Sequence, residues 1–243
     1  MHRALQQWNL WLTEAVGKDL LSLEQSILSQ YLATFGGRYA LLIGAPSQSN
    51  LLSVCHAGQA LLTTPLTIKQ ASVSAIETDL SELPIATGSM DLVIMPHILE
   101  YTVHPHQLFL EASRIVKPEG YLIVLGFNPY SLWGLRKMIS RKISAAPWST
   151  HFLPRERIKK WLRLAEFSLI REDTMLFRPP LSRKTTFERL KFLESVGAKL
   201  YKPLGGVYIL MAQAKVIPLT PIRLKWKQKL ANFQPGILTG SLT

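Results

Sequence analysis

The chain has 243 residues, of which 47% are apolar, so it can bury a sizeable core and is not an intrinsically disordered segment. Lysine and arginine number 28 against 16 acidic residues, which gives a formal net charge of +12 at pH 7. Such an excess either attracts polyanions or anionic membranes, or forms a solvated basic face that only aids solubility.

Three features of the sequence bear on where the protein resides. Residues 1–16 have neither a long apolar core nor a small-residue cleavage site, so they do not form a signal peptide. No apolar run approaches the roughly 18 residues that a membrane span requires. The one cysteine, Cys55, cannot form an internal disulfide and is interpreted as a small core residue. We therefore expect a cytoplasmic protein.

The N-terminal region predicts two helices between His2 and Phe35, because apolar residues recur there at helical spacing. The pair Gly36-Gly37 is a typical end for the second helix. Trp8 and Trp11 either pack these helices onto the rest of the fold or line a pocket, and packing is the commoner role of large aromatic residues.

The centre of the chain predicts a strand, a helix and a second strand. Met90 to Met95 is a short apolar run that favours a strand buried on both faces. Apolar residues then recur at helical spacing from Leu108 to Val116, and the Pro118 and Gly120 that follow stop the helix. Tyr121 to Phe127 is a second buried strand. This order is a βαβ unit with parallel strands.

The region from Thr78 to Phe127 resembles the second half of the class I S-adenosylmethionine-dependent methyltransferases, in a methyltransferase type 11-like form. The resemblance depends on the combination, since each element alone is weak. The matching residues are Asp79, Leu83, Pro84, Ser89, Asp91, Leu92, Val93, His97, Leu99, Glu100, Leu108, Glu111, Arg114, Ile115, Val116, Pro118 and Gly120.

The resemblance implies an α/β fold, a doubly wound, mostly parallel, seven-stranded Rossmann-like sheet whose last strand is antiparallel. We assign residues 38–215 to this methyltransferase-like domain and residues 1–37 to an N-terminal helical extension. Residues 216–243 contain three prolines and several lysines, and they are expected to form a basic, mobile tail. A helix is predicted over 187–196.

The same resemblance implies S-adenosylmethionine as the cofactor, bound at the carboxyl ends of the strands. Gly44 follows the first strand, and the third strand leads to Asp79 and Leu80, which in the family meet the adenine. The residues expected at the cofactor are Gly44, Ala45, Thr64, Asp79, Leu80, Pro96 and His97.

The loop after the first strand departs from the family pattern of an acid followed by three alternating glycines. Only Gly44 is kept, while Pro46 and Gln48 stand at the other glycine positions and Leu42 stands at the position of the acid. Glycine allows close approach of the backbone to a ligand, and proline lacks a donor. The leading hypothesis is a methyltransferase with an unknown acceptor; the alternative is an inactive relative that binds RNA, a membrane or a protein.

His97 is the candidate catalytic residue, because it follows a buried strand at the ligand side of the sheet and histidine can accept a proton near neutral pH. A hydrogen-bonded structural role is the alternative. Glu100, Tyr101, Asn128 and Tyr130 are the candidate acceptor-binding residues.

Two further expectations concern partners. His104 and His106 lack the cysteines or paired carboxylates of a metal site, so no metal is expected. Segments 136–160 and 215–229 are rich in lysine and arginine, and the helix that begins near Ser131 has a basic amphipathic pattern. These segments could contact RNA or an anionic membrane.

Overall fold

A computed structural model describes residues 2–68, 73–139, 146–179 and 204–216. The predicted helix over 187–196 and nearly all of the predicted tail lie outside these described residues.

The described residues contain a sheet of seven strands. The strands are β1 (Tyr39–Ile43), β2 (Gln59–Thr64), β3 (Ser74–Glu77), β4 (Met90–Pro96), β5 (Val116–Phe127), β6 (Phe167–Met175) and β7 (Val207–Ala214). Their order across the sheet is β3-β2-β1-β4-β5-β7-β6. Strands β1 to β5 pair in parallel, whereas β7 lies antiparallel between β5 and β6. The predicted fold class is therefore confirmed.

Helices flank the sheet. They are α1 (His2–Trp11), α2 (Ala15–Tyr31), α3 (Ile98–Tyr101), α4 (Pro105–Ile115), α5 (Leu132–Ile139) and α6 (Arg155–Leu164). A 3-10 helix, Pro46–Val54, follows β1. Its proline suits the first turn of a helix, and the short segment that follows leads directly into β2.

The core is built on β1, β4 and β5. Residues 40–43 and 92–95 are inaccessible to solvent, as expected for central parallel strands covered on both faces. Met90 pairs with Val116 and Leu92 pairs with Tyr121, so β5 has additional residues between these two pairs. These additional residues contain the turn that the sequence predicts after α4. The residue with a left-handed backbone in that turn is Glu119 rather than Gly120.

Two charged clamps hold the loops around this core. The first clamp lies at the amino ends of the strands. There Asp91 accepts hydrogen bonds from the backbone N–H groups of Arg38 and Tyr39 and forms an ion pair with Lys117 at 2.8 Å. Glu111 and Arg114 on α4 form an ion pair of 2.8 Å and together bind the backbone of the loop that precedes β4. Both clamps use residues of the resemblance, and both are structural. Asp91 stands at the start of β4, and its hydrogen bonds fix the start of the neighbouring strand β1.

Candidate active site

The carboxyl ends of β1, β2 and β4 meet at one edge of the sheet, and α1, α2 and α3 cover this edge. The ends of neighbouring parallel strands are the common place for ligand binding in open α/β sheets. The structure brings Gly44, Ala45, Pro96 and His97 together here. Gly44 donates its N–H to the Thr63 carbonyl at 3.1 Å, which joins the first two strands at the edge.

The loop after β1 is closed by a side chain of its own. Gln48 is fully buried, and its Oε1 accepts the N–H of Ala45 at 2.9 Å while its Nε2 donates to the Pro96 carbonyl at 3.3 Å. A Cβ added to Gly44 would come within 2.7 Å of that Oε1, so the Gln48 amide lies directly against the glycine. The predicted space beside Gly44 is therefore occupied by Gln48.

A second contact closes the same loop from α1. Asn9 Oδ1 accepts the N–H of Ser47 at 2.9 Å, and the Ser47 hydroxyl donates to the Asn9 carbonyl at 3.2 Å. Together with the bond from Ala45 to Gln48, this contact satisfies the backbone N–H groups of Ala45 and Ser47 in the loop. A ligand that needs these donors must displace side chains of the protein itself.

His97 begins α3 with a left-handed backbone, at φ 57° and ψ −4°. This conformation is uncommon for a residue with a Cβ, although histidine adopts it more often than most. The N–H of His97 donates to the Leu125 carbonyl at 2.9 Å, which fixes the residue against β5. Strain of this kind persists where the surrounding structure holds it, and it is concentrated at functional sites.

The His97 side chain lies between two carboxylates in the interior. Its Nε2 is 2.7 Å from Glu24 Oε1 on α2, and its Nδ1 is 3.5 Å from Glu100 Oε2 on α3. The first contact is a short, charge-assisted hydrogen bond, whereas the second is close enough only for ionic attraction. The other oxygen of Glu100 accepts the N–H of Phe127.

Burial and charge act in opposite directions on this cluster. Burial opposes protonation of His97, but Glu24 and Glu100 outweigh that cost and raise the pKa of His97 to about 9. Burial also raises the pKa of Glu100 above its ordinary value, although His97 opposes the shift. At neutral pH the two neighbouring carboxylates therefore favour the protonated, imidazolium form of His97.

Aromatic rings seal the cluster from water. Trp8 is fully buried, and its ring centroid lies 5.1 Å from that of His97 and 5.3 Å from that of Tyr101. Trp11 stacks on Trp8 at 5.1 Å. The packing role predicted for these tryptophans agrees with the structure, and the surface that they cover is the ligand edge of the sheet.

Several buried polar atoms at this edge have no hydrogen-bond partner within the described part of the chain. They include Thr63 Oγ1, Glu24 Oε2 and His97 Nδ1. An unsatisfied buried polar atom costs about 1–3 kcal/mol, so such a group is expected to meet a water molecule or a ligand.

Asp79 and Leu80 line a separate pocket of 280 Å³, with Thr102, His104 and Gln107 on its other side. Asp79 is exposed, and its Oδ1 accepts the N–H of Ser81 at 3.2 Å, as a turn aspartate does. Leu80 is buried below it. This pocket adjoins α3 and is large enough for one flat heterocycle.

The other predicted site residues divide into two groups. Glu100 and Tyr101 are buried beside His97, whereas Tyr130 points into solvent with 72% of its surface exposed. Asn128 binds the backbone of Gly205 and Tyr130, both at 3.0 Å, and so shapes the turn after β5. Thr64 is buried, and its hydroxyl accepts the N–H of Leu66 at 3.3 Å.

Glu24 and Asn9 are the site residues that the sequence analysis missed. A signal for Glu24 existed, because it stands between Leu20 and Leu28 at the i, i+4 positions that form the buried side of α2. An acid on an apolar stripe indicates a buried partner. No comparable signal marks Asn9, whose partner lies 38 residues away in the loop after β1.

The described residues contain no group of three histidine, cysteine or acidic side chains arranged to hold a metal ion. Burial raises the pKa of Cys55 to about 12, which argues against thiolate chemistry there. None of the described helices is both long and apolar enough to cross a bilayer.

Comparison of the sequence with known proteins finds methyltransferases. Residues 30–124 match the family model of the methyltransferase domain. The uncharacterized protein YafS of Escherichia coli strain K12 is 29% identical over 178 residues, which is 69% of each chain. The demethylmenaquinone methyltransferase of Chlamydia pneumoniae is 27% identical over 110 residues, which is 44% of this chain and 47% of that one.

A solved structure of a SAM-dependent methyltransferase from Thermotoga maritima has the same fold. It superposes with a TM-score of 0.63 at 17% sequence identity, and the match covers 87% of this chain and 100% of that one. The family-model match over residues 30–124 confirms the resemblance drawn from the sequence, and this superposition confirms the fold.

Proposed function

We propose, from the premise that this chain belongs through residues 30–124 to the class I methyltransferase family, that it transfers a methyl group from S-adenosylmethionine to a nucleophile. The observation that carries the proposal is the buried cluster of Glu24, His97 and Glu100 at the carboxyl end of β4. A strained histidine between two carboxylates, beside unsatisfied polar atoms, is the arrangement of a reaction site rather than of a core.

The residues fit the adenosyl part of the cofactor. Asp79 and Leu80 border a pocket of suitable size, with a carboxylate at its rim and an apolar floor. Thr63 offers an unsatisfied hydroxyl at the end of β2, where the family holds the ribose, and Thr64 lies next to it. Pro96 and His97 would border the sulfonium side. We assign these residues, with Gly44 and Ala45, to the cofactor.

The methionine end of the cofactor requires a rearrangement of Gln48, because this side chain lies against Gly44. The amide of Gln48 must rotate away or serve as a ligand itself, since an amide both donates and accepts hydrogen bonds. The free energy needed is modest, because each of its two neutral hydrogen bonds contributes about 0.5–1.5 kcal/mol.

The bound cofactor would supply a methyl group on a positively charged sulfur, which a nucleophile can attack directly. The chain then has to align the acceptor, exclude water and take up a proton. Trp8 excludes water. We assign proton uptake to Glu100, whose unsatisfied Oε2 lies beside His97, and we assign to His97, predicted from the sequence as the catalytic residue, the role of holding that carboxylate ionised. Tyr101, Asn128 and Tyr130 remain proposed acceptor contacts.

Titration calorimetry with S-adenosylmethionine tests the proposal. Wild-type protein should bind in the micromolar range, and Asp79→Ala should bind roughly tenfold more weakly, because it removes a charge-assisted acceptor worth about 1.5 kcal/mol or more. Glu82→Ala, an exposed acid in the same region, serves as the control and should bind as the wild type does. Absence of binding at millimolar cofactor would remove the enzyme reading.

A second candidate is an inactive relative that keeps the fold and acts by binding. The occupation of the loop donors by Gln48 and Asn9 favours it. Under either reading, the basic segments 136–160 and 215–229 are proposed contacts for RNA or an anionic membrane, and we propose a cytoplasmic location. The cofactor titration separates the two candidates, because an inactive relative would show no heat.

A further inference from the structure

Helix α5 presents an apolar face to solvent, although its other face is buried. Leu132, Leu135, Met138 and Ile139 are between 48% and 75% exposed, and they recur at three- to four-residue spacing on one side of the helix. Tyr130, just before the helix, extends the same face. We call these five residues the α5 surface. A groove of 470 Å³ runs along it, bordered by Pro129 and Leu204.

The exposure does not come from a loosely packed helix. Trp133 on the inner face is buried and stacks on Phe127 at 5.7 Å and on Trp148 at 5.4 Å. A Cβ at Gly134 would collide with the Pro129 carbonyl oxygen, so the helix lies directly on the preceding turn. The helix is therefore anchored, and its orientation leaves the apolar side outward. A contiguous apolar patch on a well-packed protein marks an interaction site.

The charges beside the surface are positive. Arg136 borders the exposed stripe, with its guanidinium 5.5 Å from the ring centroid of Trp148. Lys137 is half-buried on the inner side of the helix, with its ammonium 4.2 Å from the ring centroid of Phe152. Residues 129–139 and 146–153 contain no acidic side chain. Aliphatic side chains between basic ones suit the boundary between lipid headgroups and acyl chains. A surface that binds single-stranded RNA would instead present basic and aromatic side chains to solvent.

We propose that the α5 surface docks onto an anionic lipid membrane, with its aliphatic residues among the acyl chains and Arg136, at the border of the surface, near the headgroup phosphates. The docking does not depend on methyl transfer. It does bring the membrane close to the candidate active site, because Trp133 on the inner side of the helix contacts Phe127, whose ring is 4.5 Å from that of His97.

The test is cosedimentation of the full chain with vesicles, using either pure phosphatidylcholine or phosphatidylcholine mixed with a third phosphatidylglycerol. The matched pair of variants is Leu135→Glu on the surface and Leu110→Glu on α4, because both leucines are 48% exposed. Wild type and Leu110→Glu should bind the anionic vesicles, more weakly at high salt, whereas Leu135→Glu should lose about tenfold in affinity or more. Binding to pure phosphatidylcholine should be much weaker for all three proteins.

Ile139→Glu gives a second variant at the end of the surface, and it should also lose vesicle binding. Three results would overturn the proposal. The first is that the wild type does not bind anionic vesicles, and the second is that Leu135→Glu and Leu110→Glu lose equal affinity for them. The third is that the wild type binds a single-stranded RNA but no vesicles, and that Leu135→Glu weakens the RNA binding. Light scattering adds a fourth, a wild-type dimer that Leu135→Glu converts to a monomer, since a second copy would then cover the surface. Cofactor titration of Leu135→Glu should match the wild type, which separates this test from that of the methyltransferase.

Discussion

Gln48 is one of the residues at which the loop after β1 departs from the glycine pattern of the methyltransferases that this chain resembles. Its buried amide replaces, within the protein, contacts that a ligand would otherwise make with the Ala45 N–H and the neighbouring strand end. Because neutral hydrogen bonds contribute little net free energy, the replacement can be reversed by a ligand of ordinary affinity. Gln48 should therefore set how tightly the cofactor binds.

Replacing Gln48 with glycine should tighten S-adenosylmethionine binding by about tenfold, because it frees the Ala45 N–H and removes about 1.4 kcal/mol of competition. Calorimetry measures the change, and Gln25→Gly on α2 controls for glycine substitution, although it costs some helix stability. Weaker binding in Gln48→Gly would mean that the amide itself contacts the cofactor.

The cluster around His97 predicts a pH dependence of stability. The pKa of His97 is about 9 in the fold and about 6.5 in an unfolded chain. A raised pKa contributes stability below pH 6.5 that is lost as the pH rises through 9. Glu100, whose pKa is also raised, changes stability in the same direction, while Trp8 and Phe127 bring no charge to the cluster.

Chemical denaturation at pH 6 and at pH 9.5 should therefore show a loss of up to about 3 kcal/mol in the wild type, since each pKa unit corresponds to about 1.4 kcal/mol. In Glu24→Gln the loss should shift to lower pH, because the histidine then has one ionic partner fewer. In His97→Gln the profile should flatten over this range. An unchanged profile in His97→Gln would show that other groups cause the dependence.

At the scale of the element, the sequence predicts the strands more completely than it predicts the contacts of the candidate active site. The run from Met90 to Met95 has no polar residue apart from Asp91, so only burial on both faces of a sheet satisfies it. By contrast, the helical spacing that places Glu24 on the buried side of α2 does not reveal its partner, which is 73 residues away. Pairings of this kind depend on how the elements pack, and local patterns do not contain that information.

The clamp at Asp91 connects the amino ends of β1, β4 and β5, on the edge opposite the candidate active site. Partial burial disfavours ionisation of Asp91, but Lys117 and the N–H groups of Tyr39 and Arg38 outweigh it and hold the pKa of the carboxyl below its ordinary value. The stability that this clamp contributes should be present at neutral pH and lost in acid, as the pH falls through the pKa of the folded state.

Asp91→Ala should lower the free energy of unfolding by about 1–3 kcal/mol, because it leaves two backbone donors and Lys117 without their acceptor. Thermal or chemical denaturation at neutral pH measures the loss, and it should shrink toward pH 3. Cofactor affinity should stay within twofold of the wild type, since the clamp is at the other end of the strands. A large change in affinity with little loss of stability would contradict this separation.

At the scale of the whole molecule, the sequence predicted the order of strands and helices through a recurring family pattern, and the sheet follows it. The sequence could not predict the closure of the ligand edge. That closure depends on the contacts of Asn9 with Ser47, of Gln48 with Pro96 and of Trp8 with His97, which join residues that are 38 or more positions apart in the chain. The net charge of +12 likewise indicates a polyanionic partner without specifying which surface meets it.

The stacked indoles have an optical consequence. Trp8 stacks on Trp11, Trp133 stacks on Trp148, and Trp11 meets Trp133 edge to face at 6.5 Å, so four chromophores form one coupled chain from the candidate active site to α5. Any molecule that displaces Trp8 should alter both intrinsic fluorescence and near-ultraviolet circular dichroism. The protein thus carries an unlabelled spectroscopic reporter, suited to stopped-flow measurement of how fast its ligands arrive.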